Sequence, residues 1–370
     1  MAYLNHGSFG ACPKLVFDSL ISKQMQLENQ PVKFLDQDLQ ALMITNKNAL
    51  ANFIECDSED LVFFQNPTTA INEVVRSLKL KKGDEILSTN HEYGAMDKTW
   101  DFICKKTGAR HVKSTIDIPF KNAKIFTDNF LAGVTDKTKV FFLSHMTSPT
   151  ALFFPIDDIC KFARKNNILT IVDGAHIPGH LPLNINSLGV DIYVGACHKW
   201  LLCPKGTSFL YVDRRHQKII DPLIISWGYE SDINYNYSDF QLHHYWQGTR
   251  DASSFLTITD ALKFREMYNW EAVSQQCKDK IIQFRKDIHN ITNIESMIYD
   301  KASKWLGQMY SFEVDYKDNV KLKNILLNKY NIEIPVIKWQ DKTLIRISLN
   351  GYNTDDDVFQ LLDTLKKIIN

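Results

Sequence analysis

Three things are missing from this sequence, and each absence removes a class of function. The first is an imbalance of charge: 43 Lys and Arg stand against 43 Asp and Glu in 370 residues. No basic tail or stripe offers a match for the phosphates of a nucleic acid, so no nucleic-acid partner is expected. The lysine-dense LKLKKGDE (78–85) reads as a solvated helix end and turn. The second is a long apolar run. None reaches the length of a membrane helix, and MAYLNHGSFG has neither a basic region nor an apolar core of the secretory-signal type. The third is any pairing of cysteines. Cys12, Cys56, Cys104, Cys160, Cys197, Cys203 and Cys277 are odd in number, scattered, and form no C-x-x-C. Reduced thiols in a cytoplasmic protein are expected, not a disulfide framework. Repeats and low-complexity segments are absent too.

What the chain does have is alternation. Short apolar runs at 61–65, 84–89, 139–145, 168–173, 190–196 and 207–212 predict strands. Between them lie helical patterns at 36–55, 66–78 and 156–167. Strands alternating with helices predict an α/β fold, with a large domain built on a mainly parallel sheet sandwiched by helices. After about residue 250 the pattern changes. Long helices over 251–288 are followed by strands at 309–315, 332–339 and 343–350 and helices at 320–331 and 354–370. A smaller α+β C-terminal domain is therefore expected. The division is placed at 1–20 for an N-terminal segment packing with the small domain, 21–260 for the large domain and 261–370 for the small one.

In parallel sheets, ligands bind beyond the carboxyl ends of the strands. Thr68, Thr69, Tyr93, Ser144, His145, Asp173, His198 and Lys199 all fall at such ends. The run NILTIVD stops at Asp173, an acid at the tip of a strand that reads as fully buried. Such a carboxylate calls for a cationic partner. Lys199 follows 26 positions later, bracketed by DIYVGA and WLLCP, where desolvation would lower its pKa and favour Schiff-base chemistry. An acid and an amine at neighbouring strand ends suit pyridoxal 5′-phosphate, whose ring nitrogen pairs with a carboxylate and whose aldehyde takes a lysine. The turn NPTTAIN ahead of a helix would receive the phosphate, with His198 close by, although the same turn equally reads as a plain helix entry capped by Thr.

DGAHIPGH and VGACHKWLLCPKGTSFLYV resemble the signature of the class V aminotransferases, a branch of the fold-type-I pyridoxal-phosphate enzymes. Further segments occur in that family's order: LNHGSFGACP (4–13), NPTTAIN (66–72), HEYGA (91–95), SHMTSPTALFFP (144–155), YWQGTRDASSF (245–255) and LIRISLNGYNTDDDV (344–358). The overall pattern is most similar to the isopenicillin N epimerase-like group. The resemblance implies a seven-stranded-type sheet and a set of roles. Lys199 would hold the cofactor and shuttle the α-proton, and Asp173 would face the pyridine nitrogen. His176 would lie near the ring hydroxyl, and Tyr93 would stack on the ring, with His91 as the alternative. Thr68, Thr69 and His198 would hold the phosphate, joined by Gly248 and Thr249 of a second subunit in a homodimer with shared sites. Ser148 would face the cofactor, Arg346 would grip a substrate carboxylate, and Asn5 and His6 would lie near the substrate. Ala151 stands where many relatives have Gly. IKWQDKTLIR (337–346) lacks the nucleophilic cysteine of the desulfurases, so persulfide chemistry is not expected.

The outcome at the α-carbon stays open at this stage. Epimerisation leads, a carbon–sulfur β-lyase of a cysteine derivative is the alternative, and transamination is third. Epimerisation needs a base on each face or one mobile base, and His6 is weighed as that second base or as a structural turn histidine. Two readings from other classes compete with these. One is a metal hydrolase using Asp173, His176, His198 and the His243-His244 pair; the other is a catalytically silent binding protein of the same fold. The aromatic-rich 226–246 is read as a pocket wall or a surface loop.

Overall fold

A computed structural model of the protein describes residues 1–231, 237–293 and 295–369. Its strands in chain order are β1 (Ala2–Tyr3), β2 (Leu61–Phe64), β3 (Glu85–Thr89), β4 (Arg110–Ser114), β5 (Thr138–Ser144), β6 (Leu169–Asp173), β7 (Ile192–Ala196), β8 (Ser208–Val212), β9 (Met309–Val314), β10 (Ile332–Glu333), β11 (Val336–Trp339) and β12 (Lys342–Ser348). Seven of them form one sheet in the order β2-β8-β7-β6-β5-β3-β4. The pairs from β4 through β7 run parallel, while β8 lies antiparallel to both β7 and β2. The centre of this sheet is apolar on both faces: Phe141, Phe142, Leu143, Ile171, Val172, Ile192 and Val194 are all sealed from solvent. That is why these strands read as continuous apolar runs, as expected for strands covered by helices on both sides.

The expected strands of this sheet appear with their ends shifted by a residue or two, and one strand of the sheet is new. β4, RHVKS, forms the sheet edge and carries Arg110, His111 and Lys113, so it has no apolar run to announce it. The entry into the helix Pro67–Ser77 also differs in detail. Asn66, not a threonine, is the N-cap: its Oδ1 accepts from the Thr69 backbone N–H at 2.8 Å.

The C-terminal part builds a three-stranded antiparallel sheet in the order β11-β12-β9, flanked by the helices Trp270–Thr292, Asn319–Tyr330 and Asp355–Ile369. The chain's first residues join it. β1 pairs in parallel with β10, Asn5 bridges to Ser348, and the Ser348 N–H donates to the Leu4 carbonyl at 3.0 Å. The N-terminal segment therefore runs from the C-terminal sheet across to the carboxyl edge of the large one. Of the aromatic stretch 226–246, residues 232–236 lie outside the described residues.

Candidate active site

The carboxyl ends of β3, β5, β6 and β7 and the start of the helix Pro67–Ser77 surround a cleft of ≈ 320 Å³. Among the residues expected from the sequence, the cleft gathers Thr68, Tyr93, Ser148, Asp173, His176, His198, Lys199 and Arg346. It also takes in Ser8, Phe9, Asn66, Met96, Ser144 and Met146, of which only Ser144 had been singled out, as a polar strand-end residue.

Asp173 ends β6 and is buried, with one hydrogen bond in place: its Oδ1 accepts from the Ala175 N–H at 3.0 Å. Burial raises its pKa, opposed by that bond and by the charge of Lys199. Gly174, next along, is required for packing. A Cβ there would lie 2.1 Å from the Tyr193 hydroxyl, which itself is 3.0 Å from His145 Nδ1. A second buried carboxylate stands behind Asp173. Glu92 accepts from the Thr89 hydroxyl at 2.6 Å, and from the Ser144 N–H at 2.8 Å and hydroxyl at 2.6 Å. Burial pushes its pKa up to about 7, and Asp173 adds to the rise.

Lys199 follows β7 and points its Nζ to within 3.2 Å of His176 Nε2. Desolvation first, and then the Arg346 charge, lower the lysine pKa to about 8. Burial, with the Lys199 and Arg346 charges behind it, keeps His176 well below the ordinary imidazole value, and its Nδ1 has no hydrogen-bond partner among the described residues. His198 donates from Nδ1 to the Thr207 carbonyl at 3.0 Å, which leaves Nε2 for the cleft. Tyr93 is 47 % exposed on the cleft wall, whereas His91 is fully buried, with its ring between the Thr150 hydroxyl and the Ile116 carbonyl. The tyrosine is thus the ring available to a ligand. Arg346, 3 % exposed on β12, donates to the Ser148 carbonyl (2.6 Å), the Ser148 hydroxyl (3.0 Å) and the Ser8 hydroxyl (2.9 Å). Its Nε is buried without a partner among the described residues.

Five expected residues stand outside the cleft's lining. Thr69 turns back to its own cap, its hydroxyl donating to Asn66 at 3.1 Å. Gly248 and Thr249 sit in the loop after the helix Asp239–Tyr245, away from this cleft of the same chain. Asn5 is held in the bridge to Ser348. His6 lies behind Lys199: its Nε2 donates to the Lys199 carbonyl at 3.1 Å and its Nδ1 accepts from the Tyr352 hydroxyl at 2.8 Å. Burial lowers its pKa to about 3, which removes it as a base near neutrality. Among the described residues no group of three or more His, Cys, Asp or Glu is placed to hold a metal, and His244 is engaged with Glu73.

The donor set matches pyridoxal phosphate feature by feature. A buried carboxylate with one hydrogen bond needs a cation such as a pyridinium. A desolvated amine stands ready for an aldehyde. The N-terminus of the 11-residue helix Pro67–Ser77 favours an anion such as a phosphate. The orphaned His176 Nδ1 and Arg346 Nε are polar atoms that a bound group can satisfy.

Comparison with known proteins agrees. Isopenicillin N epimerase of Amycolatopsis lactamdurans is 30% identical, over 99% of this chain and 94% of its own length. Hercynylcysteine sulfoxide lyase of Schizosaccharomyces pombe is 24% identical over 98% and 93%. Among solved structures, a lysine variant of C-DES with glycine covalently linked to its PLP cofactor superposes with a TM-score of 0.83. It shares 21% identity and covers 99% of this chain and 96% of that one. The family model described as Aminotransferase class-V matches residues 12–361. The chain belongs to the class V aminotransferase family, and it is an enzyme whose cofactor is pyridoxal 5′-phosphate.

Proposed function

We propose that this enzyme moves the α-proton of an amino acid and that its reaction is an epimerisation. The observation that carries the proposal is the convergence of Asp173, Lys199 and Arg346 on one cleft. Arg346 presents a fork for an α-carboxylate and is pre-positioned by Ser148 and Ser8. Lys199, with its pKa near 8, sits close enough to neutrality to take up and return a proton. Asp173 would pair with the pyridine nitrogen and keep it protonated. Thr68, His198 and the helix N-terminus would hold the phosphate, Tyr93 would cover the ring, and His176 would serve the ring hydroxyl. When bound, the cofactor supplies the electron sink for the bond broken at the α-carbon. Epimerisation is placed first because the 30% identical relative is an isopenicillin N epimerase.

One observation favours a second reading, β-elimination from a cysteine derivative. His6 is buried and committed to Lys199 and Tyr352, so it offers no second base. An elimination needs Lys199 alone, and a relative of 24% identity is a sulfoxide lyase.

The active unit is proposed as a homodimer in which Gly248 and Thr249 reach the partner's phosphate. The exposed Ile224, Ile225 and Trp227, which precede the helix Asp239–Tyr245 in the chain, offer an apolar face for a second copy. The division into an N-terminal segment (1–20), a large domain (21–260) and a small C-terminal domain (261–370) is part of the same proposal; residues 20 and 260 both fall inside helices, Lys14–Asn29 and Ile258–Met267.

The test is direct. The purified yellow enzyme is offered D- and L-amino acids and S-substituted cysteines in deuterium oxide. Epimerisation predicts α-deuterium in both enantiomers with no keto acid formed. Release of pyruvate without α-inversion would replace it with elimination, and a colourless protein unaltered by borohydride would end both readings.

A further inference from the structure

We infer that a second cleft, behind the segment that carries Lys199, binds a small molecule bearing a carboxylate or phosphate. This cleft, ≈ 570 Å³, lies between the end of the helix Leu39–Phe53, the turn at 179–183 and the helices Ile258–Met267 and Trp270–Thr292. It shares no lining residue with the cleft around Lys199. Its volume suits an amino-acid-sized or somewhat larger ligand.

Arg265 gives the cleft its chemistry. The side chain is 8 % exposed and lies over the Phe53 ring at 5.7 Å. Its one hydrogen bond among the described residues runs from NH1 to the Trp200 carbonyl at 3.0 Å, and no carboxylate there lies within ion-pair distance of it. Burial lowers the guanidinium pKa only to about 10, so the cation persists at neutral pH. A buried charge of this kind is costly unless it is paired, and the fork of an arginine matches the two oxygens of a carboxylate or phosphate. Lys278 adds a second cation on the cleft wall. Of the two acids on the cleft wall, Glu55 accepts from Asn184, and Glu271, exposed in the first turn of its helix, supports the Arg265 cation through its charge but makes no ion pair with it among the described residues.

The cleft also abuts the catalytic segment. The turn that gives His176 to the first cleft gives His180 to the second, and His180 Nδ1 donates to the His176 carbonyl at 2.9 Å. The His180 ring stacks on Trp200, centroids 4.0 Å apart, and its Nε2 accepts from the Gln308 N–H at 2.6 Å. Both ring nitrogens are thus committed, which leaves Arg265 and Lys278 as the cations for an anion to meet.

The experiment is calorimetric titration of the holoenzyme with sodium succinate and with inorganic phosphate at constant ionic strength. It is run on an Arg346→Gln background so that the substrate cleft does not answer. One saturable site per chain is expected, weakened about tenfold by the charge reversal Lys278→Glu. Gln275→Trp, which fills the mouth of the cleft, is expected to abolish it; retained cofactor absorbance shows that each variant is folded, and Lys278→Glu decides alone if Gln275→Trp is not. Tighter binding of succinate identifies a carboxylate ligand and tighter binding of phosphate a phosphate ligand; both support the site. No saturation up to about 10 mM, or binding unchanged in both cleft variants, overturns it. None of these outcomes depends on which amino acid the enzyme turns over, so a failure here leaves the epimerase reading untouched, and the reverse holds.

Discussion

Replacing Lys199 with methionine should change how the stability of the cofactor-stripped protein depends on pH. In the folded chain the amine pKa falls from 10.5 to about 8, chiefly by desolvation. At about 1.4 kcal/mol per unit, this costs the fold roughly 3 kcal/mol whenever both folded and unfolded states are protonated, that is, below pH 8. Between pH 8 and 10.5 the unfolded chain holds its proton while the folded one has released it, so stability rises with pH across that window. From pH 7 to pH 9 the gain from this one residue is about 1 kcal/mol. Other groups pull the opposite way: the buried thiols of Cys197 and Cys203 have raised pKa values, so alkaline pH favours the unfolded chain there. Those groups are common to wild type and variant, and the comparison removes them. Urea unfolding at pH 7 and pH 9 is the assay. Lys199→Met should be the more stable protein at pH 7, and its advantage should shrink by about 1 kcal/mol at pH 9. An advantage that stays constant, or grows, would show that the lysine is not desolvated and would remove the physical reason for its use as a base at neutral pH.

Three further substitutions test the supports of the site. Gly10 has φ +72 and its Cβ would stand 2.1 Å from the His198 carbonyl, so Gly10→Ala combines left-handed strain with a backbone clash. It should cost about 2–4 kcal/mol in urea unfolding and weaken cofactor retention, and a neutral result would mean that the N-terminal segment does not pack on the lysine segment as described. His244→Ala strips the fully buried Glu73 of its imidazole partner and should cost about 3–5 kcal/mol. Glu73→Gln should cost less, because its side-chain oxygen still accepts from the Leu223 N–H, and equal losses for the two variants would contradict the pairing.

The sheet was readable in the sequence where one physical cause dominates. β5, β6 and β7 are covered on both faces, so burial alone dictates their composition, and each ends abruptly in or just before a polar residue at the ligand edge. β4 was not readable, because an edge strand is half solvated and guarded by charge. The cleft divides in the same way. Asp173, His176, His198 and Lys199 are close in sequence to strand ends, and their chemistry is local. Ser8 reaches Arg346 across 338 residues of chain, a contact that no pattern of spacing encodes. Glu92 has no local pattern to mark it between the rings of HEYGA, yet its carboxylate is what ties β3 to Ser144 at the end of β5. The sequence leaves His6 open between a second base and a structural histidine, and its burial favours the structural role.

The position of the reactive amine is set by contacts on its backbone as much as by its side chain. Lys199 offers its carbonyl to His6, and the next carbonyl, that of Trp200, is taken by Arg265. His6 is in turn fixed by Tyr352 and Asn350, which follow β12, the strand that carries Arg346. Gly10 lets the same segment cross directly over the His198 and Lys199 backbone, where any side chain would collide. The group that would grip a substrate carboxylate and the group that would move its proton are therefore tied together through ten N-terminal residues, not across the cleft itself. A shift of the C-terminal sheet relative to the large one must carry the His6 contact with it. The geometry between Arg346 and Lys199 thus depends on the N-terminal segment staying docked, which explains why buried, unreactive side chains occupy a stretch so close to the chemistry.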